Sequence, residues 1–505
     1  MKRVILGSLS GGVWFFVQVL SAFILTPVIV SQLGNRSYGA WEILLSTYAY
    51  IDLLGLGINP AIVRYVARFE AQNDRAQLRM IFTSSMLISL AMGIIGGSVV
   101  WGLAYHSERL LNLSPIQIDG LRTCILVMAV SVLLGFPKLI VQSALLGLQQ
   151  HLYVNAMRTI LWLVQSLALY FALTRGPEPG IVWLAVITLV FSIIHLLLMS
   201  ILLSRLETGL AFQFRAFSWA GMREIFTFSM KSITIMAAAR IQNQSIPIII
   251  GWLMGPAEVP IFVIANRLAS YANSLSLSLG IPLVPHFSEI DAKGSLEAKR
   301  SVWLSSSRAL QLVIFGIGIS ILALGEPFLA VWIGDDYAVE GRWVVRFSSL
   351  AFLATGIAPN SGRMLIAMAR HGHAASVFVV TTIVSVPATI LLGSGFGISG
   401  IALSLFVFRA ATSIATFVLA TRQIDLPMLV HLRSTAARFV LPMILGLASY
   451  MILRVIWTPS GYMPILGHAA LAGSVYVLAS WKLAIDQEER AFLVAAARKL
   501  KSRLV

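Results

Sequence analysis

Cysteine and charge are both scarce in this sequence, and each scarcity excludes a class of function. The one cysteine, Cys124, lies inside an apolar run. A lone thiol builds no disulfide framework and no cysteine-based metal site, so Cys124 reads as a small core residue. Charged residues make up 11% of the 505-residue chain, against about 25% in an average soluble domain. The acidic sign is the rarer, with 21 Asp and Glu against 37 Lys and Arg and a net charge of +16. No polar stretch reaches domain size, which argues against a membrane enzyme carrying its active site in a large extramembrane domain. Catalytic signatures are missing as well. Gly395-Phe396-Gly397-Ile398-Ser399-Gly400 has a dinucleotide-binding spacing, but no strand precedes it and an apolar run follows, so it reads as a periplasmic turn. His371-Gly372-His373 has no acidic or thiol ligand nearby, which argues against a metal site. No phosphate-binding loop or ATPase signature appears, so no cofactor is expected.

What is abundant is apolar sequence. Hydrophobic residues account for 58% of the chain, and the mean hydropathy is +0.86. No water-soluble core absorbs that fraction. Spanning the hydrocarbon core takes about 20 apolar residues per helix, and runs of that length fall at 8–33, 39–66, 80–105, 120–148, 156–174, 181–204, 223–253, 258–284, 304–332, 343–369, 375–393, 398–421, 439–457 and 464–484. The expectation is an all-α polytopic membrane protein of about fourteen transmembrane helices. Lys2 and Arg3 precede the first run, which is read as an uncleaved helix rather than a signal peptide.

Lys and Arg fall mostly between the runs, so the basic excess speaks to membrane orientation and not to a nucleic-acid partner. One set of loops holds Arg68, Arg75 and Arg79, then Arg205, Arg215 and Arg223, then Lys293, Lys299 and Arg300, then Arg370, then Arg422, Arg433 and Arg438. The alternating set holds little beyond Arg36, Arg109, Arg122, Arg175 and Arg342. Basic loops resist translocation, so both termini are expected in the cytoplasm, with the chain in a bacterial inner membrane. Residues 486–505 form a basic tail with Phe492, Ala496, Leu500 and Leu504 four apart. Such a tail is either a helix lying on anionic lipid or an ordinary solvated end.

The two halves carry a weak internal repeat. Pro27, Leu33-Gly34-Asn35, Pro60 and Phe69-Glu70 recur in order as Pro247, Met254-Gly255-Pro256, Pro282 and Phe287-Ser288-Glu289. Both copies enter from the same side, so the halves would be parallel repeats. The stretch Leu25-Thr26-Pro27, Leu33 through Trp41, Asp52-Leu53-Leu54-Gly55-Leu56-Gly57 and Arg64-Tyr65-Val66-Ala67 resembles the Wzx-type polysaccharide-biosynthesis flippases. These belong to the superfamily that also holds the multidrug and toxin extruders and the lipid II flippases. The resemblance implies two six-helix lobes in a V-shaped arrangement plus two C-terminal helices. Here that places the lobes at 1–204 and 223–421, an inter-lobe linker at 205–222, and the extra helices with the basic tail at 422–505. It also implies a cargo, an undecaprenyl-pyrophosphate-linked oligosaccharide flipped from the cytoplasmic to the periplasmic leaflet. The implied partners are that lipid-linked cargo, membrane lipids, a coupling proton or sodium ion, and other polysaccharide-assembly proteins.

Ionisable residues deep in the spans mark the candidate site, because each costs at least about 2.5–3.5 kcal/mol at the bilayer centre. Arg240 and Arg409 lie near mid-span, and Arg267, Arg363 and Lys138 lie off centre. A pyrophosphate-linked sugar needs cations, and Arg pairs phosphate oxygens through two parallel hydrogen bonds. Arg240, Arg267 and Arg409, with Arg363, Lys138 and Arg64, are therefore substrate-binding candidates. The competing role is pairing with carboxylates or helix carbonyls; for Arg64 and Lys231, near the cytoplasmic ends, it is snorkelling. Asp52 and Glu42 are ion-coupling candidates, and for Asp52 a salt bridge to a cavity Arg stands equally open. Ser10, Gln18, Ser21, Thr26, Gln242, Asn243, Gln244, Asn266 and Asn273 either line a sugar path or bind helices together. Pro27, Pro247, Pro282, Pro387 and Pro442 either kink spans or end them. The primary expectation is a secondary transporter and not an enzyme. The same-fold rival, a drug or toxin antiporter, is disfavoured by the many Arg, which repel cationic cargo. A membrane glycosyl polymerase or ligase lacks its expected periplasmic loop.

Overall fold

The computed structural model of the chain describes residues 2–55, 58–111, 115–176, 180–206, 210, 212–292, 294–368 and 370–491. Side chains are described from residue 10 onward, apart from 54, 106–111, 115–119, 220, 224, 226–236, 239 and 371. The amphipathic tail at 492–505 and Lys231 lie outside this set. Among the described residues every regular element is a helix. In order these are α1 Lys2–Ile51, α2 Ile58–Ala71, α3 Arg75–Leu111, α4 Pro115–Gly147, α5 His151–Arg175, α6 Gly180–Arg205, α7 Trp219–Met254, α8 Val259–Gly280 and α9 Leu283–Ala292. They continue as α10 Leu296–Trp332, α11 Asp335–Glu340, α12 Arg342–Thr355, α13 Ser361–Ala367, α14 His371–Gln423, α15 Met428–Ser434, α16 Val440–Ile456 and α17 Tyr462–Leu483.

Nine helices among the described residues are long and apolar enough to cross a membrane. Two of them are too long for one crossing. The apolar part of α1 runs 42 residues and that of α14 runs 52, about twice the length that a 30 Å core needs. Each is broken by one glycine, Gly34 at φ 69 and ψ 166 and Gly397 at φ 63 and ψ −148. Each of these two helices thus supplies two arms in succession. Gly397 lies in the Gly395–Gly400 stretch, which is thus a turn between two spans. Gly34 has a counterpart in Gly255, at φ 95 and ψ 164 after α7. That region of backbone space is open essentially to glycine. The two copies of the sequence repeat therefore mark this turn with the same residue in a similar conformation.

The expected single span at 39–66 is instead interrupted. Helix α1 ends at Ile51, a short 3-10 turn covers Asp52–Gly55, and α2 begins at Ile58. Gly55 closes this 3-10 turn, where weak helix propensity and the charged side chain of Asp52 coincide. Pro27, Pro247 and Pro387 sit inside helices. Pro282 falls in the turn between α8 and α9, and Pro442 in the first turn of α16, where its missing N–H costs little.

The chain divides into two compact units, residues 1–260 and 261–505. In the first, α7 packs on α1, α2 and α3, and α6 packs on α4 and α5. Its core joins Ile62, Leu78, Ile81, Leu145, Val154, Met199 and Ile225. In the second, one core gathers Ile314, Phe315, Phe352, Phe439 and Tyr476, and another Phe287, Trp303, Leu365, Phe417 and Ile424.

Candidate functional site

Asp52 occupies the break where α1 unwinds, and α7 carries Arg240 to it. Arg240 Nη2 donates to Asp52 Oδ2 at 3.2 Å. The pair is partly open, with side chains 38% and 27% exposed. Arg240 Nε is buried without a hydrogen-bond partner, so the guanidinium keeps an unused donor. Two tyrosines from the last turns of α1 flank the pair. Tyr50 Oη shares a short hydrogen bond with Ser245 Oγ and donates to Ile241 O at 3.3 Å, which ties α1 to α7. Tyr48 Oη lies against Gly135 of α4, where an added Cβ would sit 2.9 Å away. One turn further along α4, Lys138 donates from Nζ to Ser192 Oγ of α6 at 2.9 Å. Lys138 also stands within electrostatic range of Asp52. The first unit thus brings Asp52 and Arg240 into contact, and Lys138, bonded to Ser192, lies within electrostatic reach of the same carboxylate.

The other candidates lie apart from this group or carry other partners. Glu42 is buried and accepts from Tyr38 Oη, one turn earlier on α1, at 2.5 Å. Arg64 is exposed on α2 with its guanidinium 5.9 Å from the Tyr65 ring centre. Arg267 on α8 and Arg409 on α14 are partly buried in the second unit. Arg363 of α13 donates to Pro359 O at 2.8 Å, Asn360 Oδ1 at 3.2 Å, Ser276 O at 3.4 Å and Leu277 O at 3.2 Å. It therefore satisfies carbonyls at the C-terminal end of α8, where the helix leaves acceptors unfilled. Among the polar uncharged residues, Ser10 accepts from Asn155 Nδ2 at 3.0 Å, Thr26 donates back to Ala22 O at 2.6 Å, and Asn266 donates to Ser270 Oγ at 3.2 Å.

Two features have no counterpart among the expected residues. In the first unit, Arg158 of α5 stacks over Trp14 of α1, and His195 of α6 faces the same interior. In the second, Arg308 of α10 is 8% exposed and grips Glu489 through Nε at 3.0 Å and Nη2 at 2.6 Å. It also reaches Ser434 O at 3.0 Å and Asp486 Oδ2 at 3.1 Å. Arg438 holds Asp486 Oδ1 at 2.5 Å. Burial opposes ionisation of Asp486, but the hydrogen bond from Arg438 and the charges of Arg308, Arg438 and Arg490 outweigh it and hold this carboxyl below its usual range. Arg308 sits four residues inside a span, and its carboxylates come from beyond α17, so no local pattern pairs them. Nearby, a groove of about 850 Å³ runs between α10 and α17. It is lined by Leu312, Gly316, Ser320, Leu324, Tyr476 and Val477 and is mostly apolar.

The polysaccharide biosynthesis protein family matches residues 10–291, more than half of the chain. The chain belongs to that family. The uncharacterized membrane protein EpsK of Bacillus subtilis (strain 168) is 20% identical over 336 residues, which cover 64% of this chain and 64% of EpsK. Among solved structures, an inward-facing multidrug resistance MATE family transporter of the MOP superfamily aligns with a TM-score of 0.69 at 14% identity, covering 80% of this chain and 94% of its own. A MOP superfamily transporter from Pyrococcus furiosus Vc1, described as having a binding pocket of reverse polarity, aligns with a TM-score of 0.60 at 16% identity, over 84% of this chain and 96% of its own. At these identities the alignments show the fold, that of multi-pass membrane transporters.

Proposed function

We propose that this protein is a flippase that carries an undecaprenyl-pyrophosphate-linked oligosaccharide from the cytoplasmic to the periplasmic leaflet of the bacterial inner membrane, with both termini in the cytoplasm. The observation that carries this reading is the Arg240–Asp52 pair, with Lys138 in electrostatic reach, inside the membrane part of a polysaccharide-biosynthesis family member. A pyrophosphate is the part of such a cargo that crosses an apolar medium at highest cost, and cations that leave a donor unused meet it there. Asp52 neutralises Arg240 while no cargo is present, and its carboxylate is then released to a proton or a sodium ion when the anion arrives. Within the second unit, Arg267 and Arg409 are further candidates for contact with anionic cargo, and Arg64 of the first unit is a candidate at the cytoplasmic end. The apolar groove along α10 and α17 suits an isoprenoid tail.

Deletion of the gene, followed by extraction of undecaprenyl-linked sugars and assignment of their leaflet, tests the proposal. Full-length repeat units trapped on the cytoplasmic side are expected. Unchanged lipid-linked sugars with intact surface polysaccharide would overturn it and promote a small-molecule antiporter.

A further inference from the structure

Helices α5 and α6 each carry one polar face, and the two faces meet. At about 100° per residue, Asn155, Arg158, Trp162 and Gln165 fall on one side of α5, while the exposed Ile160, Leu163, Val164 and Leu167 fall on the opposite side. On α6, Thr188, Ser192 and His195 share a side, and the exposed Val190, Ile193, Leu197 and Ile201 lie opposite. The polar sides touch through Gln165 Nε2 and Thr188 Oγ1 at 3.5 Å. Lys138 of α4 enters between them through its bond to Ser192. On the other flank, Arg158 lies 4.5 Å from the Trp14 ring centre, and Trp14 meets Trp162 edge-on with ring centres 5.7 Å apart.

The charge of this interior is unbalanced. Lys138 and Arg158 each act electrostatically on His195 and on one another. The carboxylate that reaches Lys138 is Asp52, already bridged to Arg240, and Arg158 has no carboxylate partner among the described residues. Two nitrogens there are buried without hydrogen-bond partners, His195 Nε2 and Trp162 Nε1. Two cations, an unfilled indole N–H and an imidazole nitrogen without a partner, brought together away from water, are an arrangement that an oxyanion completes. Half-buried side chains at Trp14, Arg158, Trp162 and His195 keep the place reachable.

We propose that Lys138, Arg158, His195 and the Trp162 indole form a phosphoryl-binding centre inside the first unit, beyond the Asp52–Arg240 pair. Lys138 links the two, so an anion released at Asp52–Arg240 has a second resting place in the same unit. The ligand is a phosphate ester or pyrophosphate, and it comes either from a lipid headgroup or from free inorganic phosphate. The lipid source rests on the flippase reading; the binding centre itself does not.

The test is isothermal titration of the full-length protein in nanodiscs of zwitterionic phosphatidylcholine, with sodium pyrophosphate and farnesyl pyrophosphate as probes and sodium chloride at matched ionic strength as reference. At least one probe should bind the wild type, and Arg158→Gln and Lys138→Gln should each weaken it by about tenfold or more. Arg346→Gln, which disturbs a pair with Glu326 in the second unit, should leave it unchanged. Binding of inorganic pyrophosphate identifies free phosphate as a ligand; binding of the farnesyl probe alone identifies a lipid headgroup. Wild-type affinity in both neutralised variants, or heats reproduced by chloride, overturns the proposal. A purely structural Arg158, held for its stacking on Trp14, would leave these affinities unmoved. If Arg158→Gln does not fold, His195→Gln and Lys138→Gln carry the same expectation, and wild-type affinity in both overturns it. The readout is independent of export, so loss of the flippase reading and loss of this centre are separately visible.

Discussion

Asp52→Asn is the most informative single change, because that carboxylate pairs with Arg240 and is acted on by Lys138 as well. Arg240 touches it at 3.2 Å, and Lys138 acts on it from α4. Two unit charges 4 Å apart attract by about 4 kcal/mol at an effective dielectric of about 20. Desolvation offsets much of that, and the partial exposure of both side chains, 38% and 27%, moves the pair toward the weak surface limit. A net coupling of about 1–2 kcal/mol is expected, between the roughly 0–1 of exposed pairs and the roughly 3–5 lost on breaking buried ones. The two single changes are not equivalent. Arg240→Gln leaves Asp52 within the field of Lys138, whereas Asp52→Asn deprives both Arg240 and Lys138 of the carboxylate that acts on them. Asp52→Asn should therefore destabilise by about 2–3 kcal/mol and Arg240→Gln by about 1–2 kcal/mol, with the double change costing about 1 kcal/mol less than the sum. Equilibrium unfolding in mixed detergent micelles, run on the four proteins of the cycle, measures all three quantities. Additivity within about 0.3 kcal/mol would refute the coupling, and a larger loss for Arg240→Gln than for Asp52→Asn would refute the role given to Lys138.

In the export assay, Arg240→Ala should abolish delivery of lipid-linked sugar at normal protein levels, and full export would remove Arg240 from the binding site. Gly39→Val should prevent the second arm of α1 from seating, because even a Cβ there would lie 1.7 Å from Pro256 O; the loss, about 1–3 kcal/mol or more, is read from thermal stability against Gly12→Ala, which has open space. Arg363→Ala should cost about 2–3 kcal/mol through the carbonyls it strands at the end of α8, and Arg363→Lys should recover only part, since one ammonium cannot span Ser276, Leu277 and Pro359 together. The Asp486 carboxyl titrates below its usual value in the folded protein, so its contribution is complete above about pH 4 and fades as pH falls through the folded value. Proteolysis just after α17 should accelerate in that acid window in the wild type, and Asp486→Asn should flatten the profile.

The all-helical, multi-span architecture was legible because the bilayer imposes a length. Each crossing needs its own apolar run, and glycine marks the turns at Gly34, Gly255 and Gly397 where the backbone enters a region closed to other residues. Membership of the polysaccharide biosynthesis family was legible too, from the stretch around residues 25–67. Arg240, Lys138 and Asp52 stood out because burial makes a charge inside a run costly, whereas Arg158 and Arg308, inside the runs at 156–174 and 304–332, were not singled out. The polar faces of α5 and α6 were written in the 3.6-residue spacing of Asn155, Arg158 and Trp162 and of Thr188, Ser192 and His195, but short apolar windows average such a stripe away.

Tertiary structure alone decided which charges meet. Asp52 and Arg240 are 188 residues apart, and Arg308 and Glu489 are 181 apart, so no local propensity brings them together. It also decided that the run at 39–66 breaks at Asp52 and that Arg363 is occupied by carbonyls. Hydropathy is a sum over residues and reports how many helices the membrane accepts. Pairing is a matter of which helix faces pack together, and only packing settles whether a buried cation finds a carboxylate, a carbonyl or room for an anion.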